Sequence, residues 1–241
     1  MRSQMASSRL CGTRALRAAI LAAAVMAVSA ASTSPAAARQ QAACGKAGYS
    51  YAGFASAVRA HGIRATVTAL SEPFVSSGHV AAWVGVGGAG QGPNGSDAWI
   101  QIGLSAFPGS GSGLYYEVAR PGSSPHYVEL AGGVRNGDRF RVAVLEMSGR
   151  PDHWRVWLNG KPVSAPVQLR GSSGNWRPMA TAESWAGDGA ACNRFNYRFD
   201  GVQVASANGG SWSPFVGGQT FLDSGYRLLD RGRTSFVATS A

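Results

Sequence analysis

The segment that decides the fold contains two apolar runs around a glycine-rich stretch: HVAAWVGV at residues 79–86, GGAGQGPNGSD at 87–97 and WIQIGL at 99–104. Both runs are rich in β-branched and aromatic residues, which is typical of β-strands. In the second run, Ile100 and Ile102 fall on one face while Trp99 and Gln101 fall on the other. The segment therefore predicts two β-strands joined by a loop.

The same period of two continues outward along the chain. It predicts further strands at residues 63–70, 114–119, 139–146, 153–158, 179–185, 195–204 and within 219–237. Asn159-Gly160 directly follows one of these strands and is a strong signal for a two-residue hairpin. About a dozen short strands without helical periodicity predict an all-β sandwich or barrel. We expect a single domain over residues 49–241.

The N-terminus predicts export from a bacterial-type cell. Four arginines precede an acid-free apolar run at residues 18–30, and small residues end that run. The run is shorter than the roughly 20 residues that span a bilayer, so a secretory signal peptide is the better interpretation. We expect a signal peptide at residues 1–30, with cleavage as late as residue 38 as the alternative, and a mature leader at 31–48. The protein is then extracellular and keeps no integral membrane segment.

The cysteines also fit an oxidising compartment. Cys11 leaves with the signal peptide, so Cys44 and Cys192 remain, and we expect them to form a disulfide. A lipid anchor on Cys44 is the competing hypothesis. Gln41 occupies the place where a lipobox has an aliphatic residue, which favours the disulfide.

The net charge of the chain limits the classes of partner that it is expected to bind. Removing residues 1–30, with their four arginines, lowers the formal net charge from +10 to +6. The remaining arginines are scattered along the sequence, which does not favour nucleic-acid binding. A basic surface could still be attracted to an acidic cell wall.

Most catalytic signatures are missing from the sequence. The four histidines have no metal-ligand spacing, no G-x-S-x-G elbow surrounds a serine, and Gly85-Val86-Gly87-Gly88 lacks the Lys-Ser/Thr of a phosphate loop. We therefore expect no metal and no organic cofactor.

Carboxylates are the remaining candidates for chemistry. Glu117, Glu146 and Glu183 lie within predicted strands, where glutamate is disfavoured. Alternation places Glu183 and Trp185 on one face of their strand. A face that carries Trp, Gln, Glu and Tyr indicates a polymer-binding groove. The alternative is that these are ordinary outward-facing polar residues.

The order of these segments resembles the glutamic peptidases, or eqolisins. The resemblance lies in AWVGVGG at residues 82–88, WIQIGL at 99–104, YYE at 115–117, GDRFRV at 137–142, AESW at 182–185 and FDGV at 199–202. The chain departs from the family pattern at Gly87, where the family has Asp, and at Ser184, which is inserted before Trp185. The resemblance covers most of residues 63–204.

The resemblance implies a concanavalin A-like sandwich of two curved antiparallel sheets and an acid endopeptidase. It implies that Glu183 is the general base that activates water and that Gln101 stabilises the oxyanion. The residues expected to line a groove for a peptide or protein substrate are Trp83, Trp99, Tyr116, Glu117 and Trp185.

The alternative function is that of a protein with the same fold but without peptidase activity. Such a groove could belong to a non-catalytic module that binds glycan or cell-wall polysaccharide, because aromatic side chains stack on sugar rings as well as on peptides. We expect a monomer in either case.

Overall fold

The computed structural model describes residues 46–241 and contains two antiparallel β-sheets. The first sheet has seven strands, in the spatial order β14 (Gly217–Leu222), β1 (Tyr49–Ser56), β11 (Met179–Trp185), β3 (His79–Gly88), β4 (Ala98–Ala106), β5 (Gly113–Ala119) and β6 (His126–Ala131). A short 3₁₀ turn at Pro93–Gly95 lies in the loop between β3 and β4.

The second sheet has nine strands. Its main path is β10 (Val167–Gln168), β8 (His153–Leu158), β7 (Arg139–Glu146), β2 (Gly62–Ala69), β12 (Asn196–Ala205), β16 (Phe236–Ser240) and β15 (Tyr226–Asp230). Off this path, β13 (Trp212–Pro214) pairs with β12 and β9 (Lys161–Pro162) pairs with β8. The prediction of an all-β sandwich of two antiparallel sheets is confirmed.

The core lies between the sheets and follows from the period of two in the sequence. On β4, Ile100, Ile102 and Leu104 are fully buried and belong to the core, and on β7 the same is true of Val142 and Val144. Each fully buried aliphatic side chain contributes about 1.5–3 kcal/mol relative to an exposed one. The alternate residues of β4 face away from the core, and that face becomes the floor of the site.

The predicted hairpin at Asn159-Gly160 is present. These two residues have φ of 51° and 82°, and they join β8 to β9 with Leu158 opposite Lys161. Positive φ at both central positions is what a type I′ turn requires, and Asn and Gly tolerate it best.

The sequence did not predict strands β1 and β6. The first of these, YSYAGFAS, lies between β14 and β11 and contributes Tyr49 and Tyr51 to the sheet face opposite the core. Its centre is Gly53, where a β-carbon would collide with the backbone of Ala180. Small residues that permit such close approach obscure the β-propensity of this strand.

Several predictions fall outside the described residues. The signal peptide, most of the leader and Cys44 lie before residue 46, so export and the Cys44–Cys192 disulfide stay predictions. Among residues 46–241, no helix is long and apolar enough to cross a membrane.

Candidate active site

The outward face of the seven-stranded sheet forms a groove with an aromatic floor. A small cluster of Ala81, Trp83 and Tyr115 lies on this face, separate from the main core, with Tyr51 and Met179 packed against it. Trp83 lies opposite Gly103, where a β-carbon would overlap the carbonyl oxygen of Ala82. Gly103 therefore allows the backbones of β3 and β4 to approach closely at this point.

Gln101 projects from β4 onto this floor. It is 7% exposed, and its Nε2 donates a hydrogen bond to Tyr115 Oη at 3.0 Å. An amide nitrogen carries two hydrogens, so this bond uses one of them and leaves a second donor. The Tyr115 hydroxyl therefore orients the Gln101 amide without occupying it fully.

Glu117 lies directly opposite Gln101 on the neighbouring strand β5. Directly opposed residues have β-carbons about 4.5–5.5 Å apart, so the two side chains can reach a common ligand. Trp99 Nε1 donates a hydrogen bond to Glu117 Oε1 at 2.8 Å. Burial raises the pKa of the Glu117 carboxyl; the Trp99 bond opposes this, while the negative charge of Glu183 adds to it.

Glu183 lies farther along the groove with a different set of neighbours. It is 6% exposed, and its Oε1 lies 3.4 Å from His79 Nε2. Tyr51 is directly opposite on β1, and burial together with the Glu183 charge raises its tyrosyl pKa well above the ordinary value. Burial and Glu183 likewise raise the pKa of Tyr49 to about 12. Both tyrosines therefore stay neutral hydrogen-bond donors beside this carboxylate.

The strand register separates Glu183 from Gln101. On β3, which lies between their strands, Glu183 is opposite Ala81 whereas Gln101 is opposite Gly85. With strands about 4.8 Å apart and a rise of about 3.3 Å per residue, two strands and four residues put their α-carbons on the order of 16 Å apart, before curvature. The β11 residue in the row of Gln101 is Met179.

Both carboxylates and Gln101 nevertheless line one cavity, with a volume of about 300 Å³. Among the side chains that line it are Tyr49, Tyr51, Trp83, Gln91, Trp99, Gln101, Glu117, Met179, Thr181, Glu183 and Phe221. The indole N–H of Trp83 is buried and has no hydrogen-bond acceptor within the described part of the chain. The groove therefore combines apolar contact surface with a few polar groups, as ligand sites commonly do.

Two residues expected in the groove lie elsewhere. Tyr116 packs against the main core, because its neighbours Tyr115 and Glu117 occupy the outward positions of β5, so its assignment to the groove is corrected. Trp185 shares the outward face but lies beyond the cavity lining, 39% exposed and in contact with Tyr49 and His79.

Glu146 does not belong to the site. It is fully buried on the inner side of β7, where His61 Nδ1 lies 2.5 Å from its Oε2. The backbone N–H of Asp152 donates to its Oε1 at 2.7 Å. This third strand glutamate is therefore a structural group of the core. Across residues 46–241, no cluster of three His, Cys, Asp or Glu side chains could hold a metal ion.

Sequence reasoning missed Tyr49, Tyr51, His79, Tyr115 and Met179. Strict alternation along YYE at residues 115–117 would have identified Tyr115, because it shares a face with Glu117. The positions of Tyr49 and Tyr51 depend on the pairing of β1, and no local signal reveals that pairing.

No family model matches this chain, and no curated protein matches it in sequence. Among solved structures, scytalido-glutamic peptidase with a transition state analog inhibitor is similar at a TM-score of 0.50 and 15% identity, over 82% of this chain and 98% of that one. SCP-B, a member of the eqolisin family in complex with the tripeptide Ala-Ile-His, has a TM-score of 0.47 and 13% identity over 81% and 98%. A carbohydrate-binding module, CBM66 from Bacillus subtilis, has a TM-score of 0.29 and 9% identity over 61% and 79%. At these identities a likeness concerns the fold alone, and the chain has the two-sheet fold of the glutamic peptidases.

Proposed function

We propose that this chain is an exported endopeptidase that hydrolyses peptide bonds within the groove of the seven-stranded sheet. The observation that carries the proposal is the buried Gln101 amide directly opposite the half-buried Glu117 carboxylate. The two groups share a cavity of about 300 Å³, large enough for part of an extended peptide.

Glu117 and Gln101 can carry out different steps of the hydrolysis. Glu117 takes a proton from the attacking water as the water oxygen bonds to the peptide carbonyl carbon. The second N–H of Gln101 donates to the oxyanion that forms, and one such donor is worth about 10²–10³ in kcat. The protonated Glu117 then gives its proton to the leaving amine as the C–N bond breaks.

The raised pKa of Glu117 determines the pH dependence of this step. Only the carboxylate can accept the proton, so activity falls as the pH drops through the Glu117 pKa. Because that pKa lies above the ordinary 4.5, the acid limb of the profile has its midpoint above pH 4.5.

Glu183 is the competing general base, since the family resemblance assigns that role to it. It lines the same cavity and has His79 beside it. The strand register does not favour joint action of Glu183 and Gln101, because Glu183 lies two strands away from Gln101 and is offset from it by four residues along the strand direction. The two assignments predict opposite results for a single variant, so experiment can separate them.

The test is cleavage of a denatured protein by the wild type and by Glu117→Gln, Glu183→Gln and Gln101→Ala between about pH 2 and pH 7. We expect Glu117→Gln to abolish cleavage and Glu183→Gln to retain it, with the acid limb moved to lower pH because a neighbouring negative charge is removed. Glu129→Gln changes an exposed carboxylate of β6 and is the matched control. Loss of cleavage in Glu183→Gln alone would transfer the role of base to Glu183.

One observation favours a second candidate, a protein that binds peptides or glycans without cleaving them. Met179 occupies the β11 position in the row of Gln101, and its thioether cannot act as a general base. Absence of cleavage by the folded wild type, together with saturable binding of a peptide or an oligosaccharide, would support this candidate and refute the first.

Export is a separate part of the proposal. It rests on the basic and apolar pattern of residues 1–30. The mature protein is expected in the culture medium of a secreting host, with an N-terminus at or after residue 31. An intact N-terminus on a protein retained in the cytoplasm would refute it.

A further inference from the structure

The outer face of the nine-stranded sheet is basic, in contrast to the acidic groove. Five arginines occupy outward positions on the four neighbouring strands β8, β7, β2 and β12: Arg64, Arg139, Arg141, Arg155 and Arg198. The outward-facing carboxylate on these strands is Asp200, since Glu146 of β7 faces the core. Arginines that are scattered in the sequence therefore converge on one face, because alternate strand positions point the same way.

Small residues leave a depression in this face. Ala143 lies opposite Arg64 on one side and opposite Trp157 on the other, and Thr66 lies opposite Arg141. The short side chains form a floor, and the long ones form walls around a cavity of about 450 Å³. This is a concave site on the sheet opposite the one that carries the groove.

The walls combine aromatic rings with positive charge. The Arg64 guanidinium lies 4.4 Å from the ring centroid of Trp212, and its Nε donates to Gln203 Oε1 at 2.7 Å. These contacts hold Arg64 in place on one wall. Trp157 lines the other side of the cavity.

Two of the arginines keep their charge available for a ligand. Asp200 also lines the cavity. Its Oδ2 lies 2.9 Å from Arg198 Nε and 3.5 Å from Arg139 Nη2, so these two arginines neutralise its charge. Within residues 46–241, no carboxylate lies within ion-pair distance of Arg64 or Arg141. The cavity therefore presents two guanidinium groups that lack an acidic partner in the fold.

We propose that this cavity, lined by Arg64, Arg141, Trp157 and Trp212, binds an acidic polysaccharide. Guanidinium groups pair with carboxylate or sulfate in a bidentate geometry, and the flat Trp157 ring offers a stacking surface for a sugar ring. The basic charge of the face complements a polyanion, and the cavity volume lies within the usual range of ligand sites. The site is independent of peptide hydrolysis, because it lies on the other sheet.

The test is a binding titration with polygalacturonate at low salt. We expect saturable binding that weakens with added salt, because exposed charges are screened. We expect Arg64→Gln/Arg141→Gln to bind about tenfold more weakly or worse, and Ala143→Leu, which fills the floor without changing charge, to weaken binding as well. Arg120→Gln/Arg150→Gln removes the same charge from exposed arginines elsewhere and is expected to bind like the wild type. Melting temperatures of all variants check that each is folded.

Three results would overturn the proposal. The first is no binding of polygalacturonate by the folded wild type. The second is an equal loss in the Arg120/Arg150 control, which would indicate attraction to net charge rather than a site. The third is tighter binding of single-stranded DNA than of polygalacturonate, which would assign the face to a different polyanion. A neutral dextran serves as the uncharged comparison and is expected not to bind.

Discussion

Replacing His61 by alanine tests how the structure tolerates the fully buried Glu146. The imidazole Nδ1 lies 2.5 Å from Glu146 Oε2, and the contact is an ion pair when the imidazole is protonated and a hydrogen bond otherwise. The backbone N–H of Asp152 satisfies the other carboxylate oxygen. In His61→Ala, one buried carboxylate oxygen loses its partner while the charge remains.

Removing one partner of a buried pair costs about 3–5 kcal/mol. The His61 side chain is 26% exposed, so water can reach part of the space that it leaves, and the lower end, about 3 kcal/mol, is expected. That is a large share of the 5–15 kcal/mol that stabilises a typical domain. For a domain of this size it corresponds to a fall in Tm of about 6–12 °C.

The assay is thermal and urea unfolding of the wild type, His61→Ala and His61→Ala/Glu146→Gln at one pH. The double variant removes the buried charge but keeps an amide oxygen for the Asp152 N–H, so it should regain part of the loss. His126→Ala changes an exposed histidine and should unfold within about 0.5 kcal/mol of the wild type. A His61→Ala protein within about 1 kcal/mol of the wild type would refute the reasoning, because the buried carboxylate would then need no partner.

Three further changes have defined outcomes. Trp99→Phe removes the hydrogen bond that favours the Glu117 carboxylate, so the acid limb of any cleavage profile should move to higher pH. An acid limb at the wild-type pH would show that Glu117 does not take part in the reaction. Asp152→Asn should lose a modest amount of stability at neutral pH and none in strong acid, because hydrogen bonds from Gly171, Ser172 and Ser173 outweigh burial and hold the Asp152 pKa below its usual range. That contribution is present above the unfolded pKa of 3.8 and disappears as the pH falls through the folded value. A difference in the free energy of unfolding between Asp152→Asn and the wild type that is the same at every pH would contradict it. Gly103→Ala should destabilise by about 1–3 kcal/mol through overlap with the Ala82 carbonyl, whereas Gly189→Ala, which meets no atom, should not.

The faces of the strands were predictable from the sequence to a large degree. A period of two decides which side chains share a face, so Trp83, Trp99, Gln101, Glu117 and Glu183 could be assigned to one surface without a structure. Tyr116 was misplaced because a family resemblance was followed where alternation pointed to its neighbour. That error was avoidable from the sequence.

The register between strands was not predictable. Whether Gln101 lies opposite Glu117 depends on the register of β4 with β5, and whether it lies in the row of Met179 or of Glu183 depends on the registers of β4, β3 and β11. No local pattern specifies these offsets. The same limitation concealed the convergence of arginines on the nine-stranded sheet, because Arg64 and Arg141 are distant in sequence and meet only through the pairing of β2 with β7.

The position of β1 between β14 and β11 in the seven-stranded sheet has a consequence for how the molecule is made. Its residues 49–55 pair with residues 179–185, and its other edge pairs with β14, which ends at Leu222. During synthesis, β1 therefore has no strand to pair with until residues 179–185 have left the ribosome. Pairing between such distant segments is slow and exposes unpaired strand edges to aggregation. The wall of the groove that carries Tyr49 and Tyr51 can therefore form only late in synthesis, and a chain exported as proposed above would still be loose when it entered a translocation pore.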